Sequence, residues 1–115
     1  MKKARREHLA RLADVRGAIA AIRAHVARGE LDDTLVFDAV RMRLVEIGEA
    51  VGALPADMLS AEPAIPWREI VAMRHKLAHH YYDSALGIVA ATVSDDLPVL
   101  EAAIVRMQAR ADDAT

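Results

Sequence analysis

Apolar residues recur every three or four positions along most of the chain, which is the spacing of amphipathic α-helices. Residues 4–28 carry this pattern, and Gly29 is placed to end a first helix there. A second helix is predicted to begin at Asp32 or Asp33, because either short acidic side chain can cap it, and to reach about Gly52. Its apolar positions alternate threes and fours, as in an antiparallel helical pair: Phe37, Val40, Leu44, Ile47 and Val51.

A proline-rich connector separates this pair of helices from the rest of the chain. Residues 53–66 contain three of the four prolines and show weak periodicity, so we predict a connector with one short helical turn at residues 56–60. Pro66 then suits the first position of a central helix, because its fixed φ and its missing N–H are both tolerated there.

A last apolar pattern begins at Ser84 and continues to Met107. Pro98 lies inside this pattern and follows Asp95 and Asp96. Because proline is costly in a helix interior, the last helix should kink near Pro98 or restart there with an aspartate as its cap.

The composition agrees with helices and excludes several kinds of function. Of the 115 residues, 54% are hydrophobic and 3% aromatic, and the apolar content is mostly Ala, Leu, Val and Ile, which favours helices over sheet. This length predicts a single domain that covers residues 1–115. No cysteine is present, so neither a disulfide nor a thiolate site can carry a function. The net charge of −2 excludes a generally basic protein that coats nucleic acid.

No apolar run reaches the roughly 18 residues that a membrane-spanning helix needs. The first residues also lack the compact apolar core of a secretory signal. We therefore expect a cytoplasmic protein that makes no use of a membrane. The basic cluster at the start of the chain is interpreted as solvated, with attraction of RNA as the alternative, and comprises Lys2, Lys3, Arg5 and Arg6.

Residues 67–83 hold the only Trp, both Tyr and three of the five His. Arg74 lies on the apolar stripe of this stretch, and a guanidinium buried there would need a carboxylate, a phosphate or a cleft. The stripe that should pack inward comprises Trp67, Ile70, Leu77 and Ala78. In the second helix Glu46 and Glu49 flank Gly48. They are either surface carboxylates beside a glycine that permits close helix packing, or one of them is the partner of Arg74.

On a continuous helix, His79 would point about 140° away from Arg74. The two side chains could converge if the helix ends near His79, or if a second subunit brings its copy to the same cleft. The residues HHYYD that follow Ala78 are weak helix formers and look like a helix end.

Three interpretations of this stretch are open from the residues alone. His75, His79 and Asp83 recur at four-residue spacing and could bind a metal ion, although no Glu lies between the histidines as in HExxH. Alternatively, His79 could move protons and Arg74 could hold a phosphate while the 2′-hydroxyl of RNA acts as nucleophile, so that no metal is required. The third interpretation is a paired core arginine with surface histidines, and spacing alone favours it.

The segment IPWREIVAMRHKLAHHYYD resembles the signature of HepT-like toxins of the HEPN superfamily, in which Arg is followed by four to six residues, His, and Tyr two further on. Arg74, His79 and Tyr81 fit the R-x4-H-x-Y form. EIGEA in the second helix and SDDLPVLEAAI in the last extend the resemblance over most of the chain.

This resemblance implies an all-α, HEPN-type up-and-down bundle of four to five helices that forms a homodimer with the two motifs in a shared cleft. It implies a metal-independent endoribonuclease toxin that acts on RNA such as tRNA or mRNA, uses no cofactor and does not bind DNA. Arg74 and His79 would be catalytic. A minimal nucleotidyltransferase antitoxin would transfer AMP to Tyr81.

Two positions depart from the family pattern. The residue after the motif arginine is often Asn and is His75 here, and the residue between His and Tyr is often Gly and is His80 here. His75 and His80 are therefore assigned only supporting or substrate-binding roles, and Lys76 is assigned a role of the same kind. The alternative function is a non-catalytic helical module of the same fold that binds a nucleotide or a partner.

Overall fold

The computed structural model of the protein describes residues 2–79 and 82–113, and the side chains of these except residues 82–84. The described chain is helical and contains no strand, which confirms the predicted all-α fold. The elements are α1 (Lys2–Arg28), α2 (Thr34–Gly52), α3 (Ala56–Ser60), α4 (Trp67–His79), α5 (Tyr82–Ala91), a π-helical turn (Thr92–Asp96) and α6 (Leu97–Asp113).

Helix α2 lies between α1 and α4, and α6 packs on α1. The bundle measures 45 × 25 × 24 Å. Its core is aliphatic with a single buried Phe, which follows from the low aromatic content. The largest fully buried side chains are Leu12, Val15, Ile19, Ile22, Phe37, Val40, Leu44, Ile47, Val51, Leu77, Val89 and Ile104. These positions include the apolar seam predicted for α2.

The boundary between α1 and α2 follows the predicted capping chemistry. Helix α1 ends at Arg28, directly before Gly29. Of the two candidate caps for α2, the structure uses Asp33, whose Oδ1 accepts the backbone N–H of Leu35 at 2.9 Å. The extended backbone of Asp33 (φ −73°, ψ 120°) is the usual conformation of a residue that caps a helix without joining it.

The connector contains the predicted short turn, α3, and it is fixed at two points. The indole Nε1 of Trp67 donates to the carbonyl oxygens of Leu59 (2.8 Å) and Glu62 (3.1 Å). The buried carboxylate of Glu62 accepts from Arg106 Nη2 at 2.7 Å and also from Arg110. The connector is thereby attached both to the start of α4 and to α6.

The junction of α5 and α6 differs from a simple kink. Helical dihedrals persist through Leu97 (φ −60°, ψ −42°), whose N–H bonds to the carbonyl of Thr92 one residue further back than in an α-helix. The π-helical turn therefore supplies the irregularity before Pro98, which has no N–H to donate. The predicted distortion near Pro98 is confirmed, but the alternative of a restart at an aspartate cap is wrong. Tyr82 is already helical, two residues before the predicted start of this helix at Ser84.

The carboxylates of Glu62 and Glu101 should make stability sensitive to acid. Hydrogen bonds from Arg106, with the charges of Arg106 and Arg110, hold the pKa of the Glu62 carboxyl below its usual range, although desolvation opposes them. The hydrogen bond from Arg23, at 2.6 Å, lowers the pKa of Glu101 in the same way. A carboxylate with a lowered folded pKa stabilises the fold above its unfolded pKa, about 4.3, and this contribution is lost as the pH falls through the folded value.

We therefore expect Glu62→Gln to lower the melting temperature at pH 7, with a difference from the wild type that shrinks towards pH 3. Circular dichroism melts from pH 7 to pH 3 measure this difference. Glu30→Gln, at an exposed loop position, is the matched control and should show a small difference at every pH. A Glu62→Gln effect that is the same at pH 3 and pH 7 would contradict the role of the charge.

In the part of the chain that the structure describes, no helix is both long and apolar enough to cross a membrane.

Candidate functional site

Helix α4 lies at the surface of the bundle and carries most of the candidate side chains. Leu77 is its one buried residue, while Trp67 and Ile70 are partly buried. Ala78 was predicted to face inward, and this is wrong, because its side chain is exposed. Pro66 was predicted to be the first residue of this helix, and this is wrong. It directly precedes Trp67, the first residue of α4, and its carbonyl accepts the N–H of Ile70.

Arg74 lies over two glycines of α2. A Cβ atom at position 48 would come within 2.9 Å of Arg74 Cβ and 3.1 Å of the Ile70 carbonyl oxygen. A Cβ atom at position 52 would lie 3.5 Å from Arg74 Nη1. The interpretation of Gly48 as a residue that permits close helix packing is therefore confirmed. The guanidinium lies near the last turn of α2, where the helix dipole favours a positive charge.

The prediction that Glu46 or Glu49 is the partner of Arg74 is wrong. Glu46 instead binds Arg43 of its own helix at 2.8 Å, and Glu49 is exposed. No described residue forms a hydrogen bond or an ion pair with the guanidinium of Arg74. Arg74 is itself exposed, so the penalty for burying an unpaired charge does not apply to it. Its donors are available to a ligand.

His75 and His79 lie together on an exposed face of α4. Their ring centroids are 4.4 Å apart, with an angle of 58° between the ring planes. Asp83, the third residue of the candidate metal site, lies in α5, and its side chain is outside the described set. Among the described side chains there is no cluster of three or more His, Cys, Asp or Glu that could hold a metal ion.

The helix does not bring Arg74 and His79 onto one face. Helix α4 is regular through His79, its last residue, so the two side chains are separated by about 140° around the axis. Up to His79, where this described stretch stops, the helix does not turn His79 back towards Arg74 of the same chain. His80 and Tyr81 lie outside the described residues.

Lys76 lines a groove between α4 and the helical segment formed by α5, the π-helical turn and α6. The groove has a volume of about 480 Å³ and is mainly apolar, with Ile70, Met73 and Val99 among its lining residues. Lys76 is exposed at the edge of this groove.

Arg41 is a residue of this region that the sequence did not indicate. Its Nη1 donates to the carbonyl of Leu77 at 3.4 Å, and its guanidinium lies 5.5 Å from the ring centroid of Phe37. It therefore binds the last turn of α4, two residues before His79. No local pattern could have predicted this contact, because the acceptor is a backbone carbonyl 36 residues away.

A sequence model of the family described as "Ribonuclease HepT-like" matches residues 9–107. The chain belongs to the HepT-like ribonuclease family. The resemblance drawn from the motif is thereby confirmed at the level of the family.

Several curated proteins resemble this HepT-like chain. It is 41% identical over 63 residues to "Probable ribonuclease HepT" of Thermococcus cleftensis, covering 55% of this chain and 57% of that protein. A "Putative RNase" of Methanocaldococcus jannaschii is 37% identical over 75 residues, or 62% of each protein. Another from Caldanaerobacter subterraneus subsp. tengcongensis is 40% identical over 55 residues, covering 48% of this chain and 49% of that protein.

The matched segments span about half to three fifths of the length of these relatives. The comparison with solved structures gives no match. At the level of the family, the HepT-like chain is thus related to ribonucleases.

Proposed function

We propose that this HepT-like chain cleaves RNA without a metal ion, with Arg74 binding the phosphate and His79 transferring a proton. The observation that carries the proposal is the guanidinium of Arg74, which has no partner among the described residues and is exposed over Gly48 and Gly52, on the same short helix as an exposed His79. A planar guanidinium offers paired donors to phosphate oxygens, and histidine titrates near neutral pH.

The reaction needs no protein nucleophile. The ribose 2′-oxygen attacks the adjacent phosphorus, the O2′–P bond forms, and the bond from phosphorus to the 5′-oxygen breaks. His79 accepts the proton of the 2′-hydroxyl, and the leaving 5′-oxygen takes a proton from solvent or from a second acid. Arg74 stabilises the charge that accumulates on the phosphate oxygens. The products are a 2′,3′-cyclic phosphate and a 5′-hydroxyl.

We further propose that the active form is a homodimer. Within one chain, Arg74 and His79 point in different directions around α4, so a complete site requires a second copy of the helix in the same cleft. A symmetric dimer would use the same patch of α4 twice and would pair Arg74 of each chain with His79 of the other. The different directions of Arg74 and His79 within one chain also favour a second candidate function. In that case the chain is a helical module that binds nucleotide or a partner without catalysis.

Cleavage of RNA in the presence of EDTA separates these two functions. The purified protein should cut tRNA or total RNA with EDTA present and leave a 2′,3′-cyclic phosphate. This end blocks labelling by a 3′-end ligase, and phosphatase should restore labelling only after acid has opened the cyclic phosphate to a monophosphate. The binding module would retain RNA or nucleotide without cutting it. Activity that disappears in EDTA and returns with zinc would contradict the proposed mechanism.

We also propose that this chain is a toxin and that a nucleotidyltransferase antitoxin silences it by transferring AMP from ATP to Tyr81. The phenolic oxygen would attack the α-phosphorus of ATP, forming the Tyr–O–P bond and releasing pyrophosphate. The assignment of Tyr81 rests on its spacing from His79 in the motif. The added phosphodiester would carry about one negative charge and could occupy the donors of Arg74, while its adenosine would block the RNA.

We expect incubation with the partner nucleotidyltransferase and ATP to add one AMP per chain and to stop RNA cleavage. Peptide mapping by mass spectrometry should place the AMP on Tyr81, and Tyr81→Phe should neither accept AMP nor be silenced by the partner's activity. Tyr82→Phe is the matched control and should behave as the wild type. Modification of Tyr82 would show that the residue was assigned incorrectly.

A further inference from the structure

His75 and His79 form a pair that the proposed cleavage reaction does not explain. They lie one helical turn apart with ring centroids at 4.4 Å, and both side chains are exposed. Side chains four residues apart on a helix are neighbours on one face. Because neither ring is held in a packed core, both can rotate until one nitrogen of each points at a common ion.

We propose that His75 and His79 together bind a divalent transition-metal ion, Zn²⁺ in particular, and that the bound ion inhibits RNA cleavage. Neutral imidazole nitrogens are good ligands for Zn²⁺, Cu²⁺ and Ni²⁺, whereas Mg²⁺ prefers oxygen. The described side chains supply two protein ligands and no third His, Cys, Asp or Glu. Two ligands are fewer than the four of a structural zinc centre, so we expect reversible binding that is suited to inhibition.

The ion would inhibit RNA cleavage because it occupies the lone pair of an imidazole nitrogen of His79. This step depends on the proposed role of His79 in proton transfer, because a nitrogen bound to Zn²⁺ can no longer accept the proton of the 2′-hydroxyl. The ion would also lie beside the cleft that must admit RNA. Zinc thus acts against a reaction that itself needs no metal.

The charges around the pair limit its affinity. Arg74 and Lys76 flank His75 in the sequence, and Arg41 binds the last turn of α4. These three cationic side chains oppose the binding of a metal cation. Affinity therefore depends on the two imidazoles acting together, and the loss of either one should be decisive.

Isothermal titration calorimetry of the untagged protein with ZnCl₂, without RNA, tests the site directly. We expect one ion per chain in the wild type, and a dissociation constant at least about tenfold higher in His75→Asn, which removes one ligand but keeps a polar side chain. His25→Asn, at a histidine in the last turn of α1, is the matched control and should bind zinc as the wild type does. MgCl₂ should give no binding heat.

Cleavage assays with increasing zinc test the inhibition. At a free zinc concentration of about ten times the dissociation constant, the wild-type rate should fall about tenfold by mass action, and EDTA should restore it. The rate of His75→Asn, relative to its own rate without zinc, should be nearly unchanged at that concentration. Samples without protein correct for the direct effect of zinc on RNA.

Absence of zinc binding, or binding that His75→Asn leaves unchanged, would overturn the site. Binding as expected with an undiminished cleavage rate would overturn its inhibitory role. A protein that binds zinc through His75 but cleaves no RNA with or without EDTA would support the metal site and contradict the proposed ribonuclease function.

Discussion

Arg74→Ala and His79→Ala are each expected to reduce the rate of RNA cleavage by about 10²- to 10⁴-fold, the range for loss of a proton-transfer group or of a transition-state hydrogen-bond donor. Both side chains are exposed, and the guanidinium of Arg74 has no ion-pair or hydrogen-bond partner among the described residues. Their removal should therefore leave the fold intact. Initial rates on a labelled RNA, with circular dichroism spectra of each variant, measure the two effects.

Arg68→Ala is the matched control for lost positive charge, because Arg68 is an exposed arginine in the first turn of the same helix. Its rate should remain within a few-fold of the wild type at about 0.15 M salt, where surface charges are largely screened. An equal loss in Arg68→Ala and Arg74→Ala would indicate general attraction of RNA instead of a specific phosphate contact.

Mixing the two inactive variants distinguishes a site within one chain from a site shared by two. If Arg74 of one chain works with His79 of the other, a mixed dimer contains one intact site and one doubly mutated site. Random exchange makes half of the dimers mixed, so about one quarter of the wild-type activity should return. A pair that acts within one chain gives no recovery. Light scattering must show dimers in each preparation, and a monomer at micromolar concentration would contradict the shared cleft.

Most of the fold could be predicted because local chemistry decides it. The seam of α2, the cap at Asp33 and the short turn of α3 all depend on residues that are close in the sequence. Patterns of this kind report which residues form a helix and which of its faces is apolar.

Contacts between distant residues could not be predicted in the same way. Arg74 lies on the apolar stripe, yet it is exposed, because the stripe faces two glycines that leave room for a long side chain to reach solvent. No local sequence pattern predicted the ion pairs of Glu62, since its arginine partners are 44 and 48 residues away. The candidate site was recognised through its motif, whereas its surroundings required the structure.

Gly48→Ala is expected to lower both stability and activity. The new Cβ would lie 2.9 Å from Arg74 Cβ and 3.1 Å from the Ile70 carbonyl oxygen, and neither is the end of a flexible side chain. Helix α4 must therefore shift away from α2. Overpacking of this kind costs about 1–3 kcal/mol, and alanine in a helix interior returns about 0.5–1 kcal/mol relative to glycine. The net loss of roughly 1–2 kcal/mol should lower the melting temperature by about 4–10 °C.

Two other glycines separate this steric effect from the general effect of replacing glycine by alanine. Gly17 lies inside α1, and a Cβ there would meet nothing within 4 Å, so Gly17→Ala should raise the free energy of unfolding by about 0.5–1 kcal/mol. A Cβ at Gly52 would make an ordinary contact, 3.5 Å from Arg74 Nη1. Gly52→Ala should therefore change the free energy of unfolding by less than about 0.5 kcal/mol while it places a methyl group beside the guanidinium.

Cleavage rates measured well below the melting temperatures then report the position of Arg74 rather than the fraction of folded protein. Gly48→Ala should cleave RNA about 10- to 100-fold more slowly, because a displacement of about 1 Å in a group that orients the substrate can cost that much. Gly17→Ala should cleave at the wild-type rate. Wild-type stability and rate in Gly48→Ala would show that α4 can move without consequence. The close contact of α2 and α4 would then have no role in positioning Arg74.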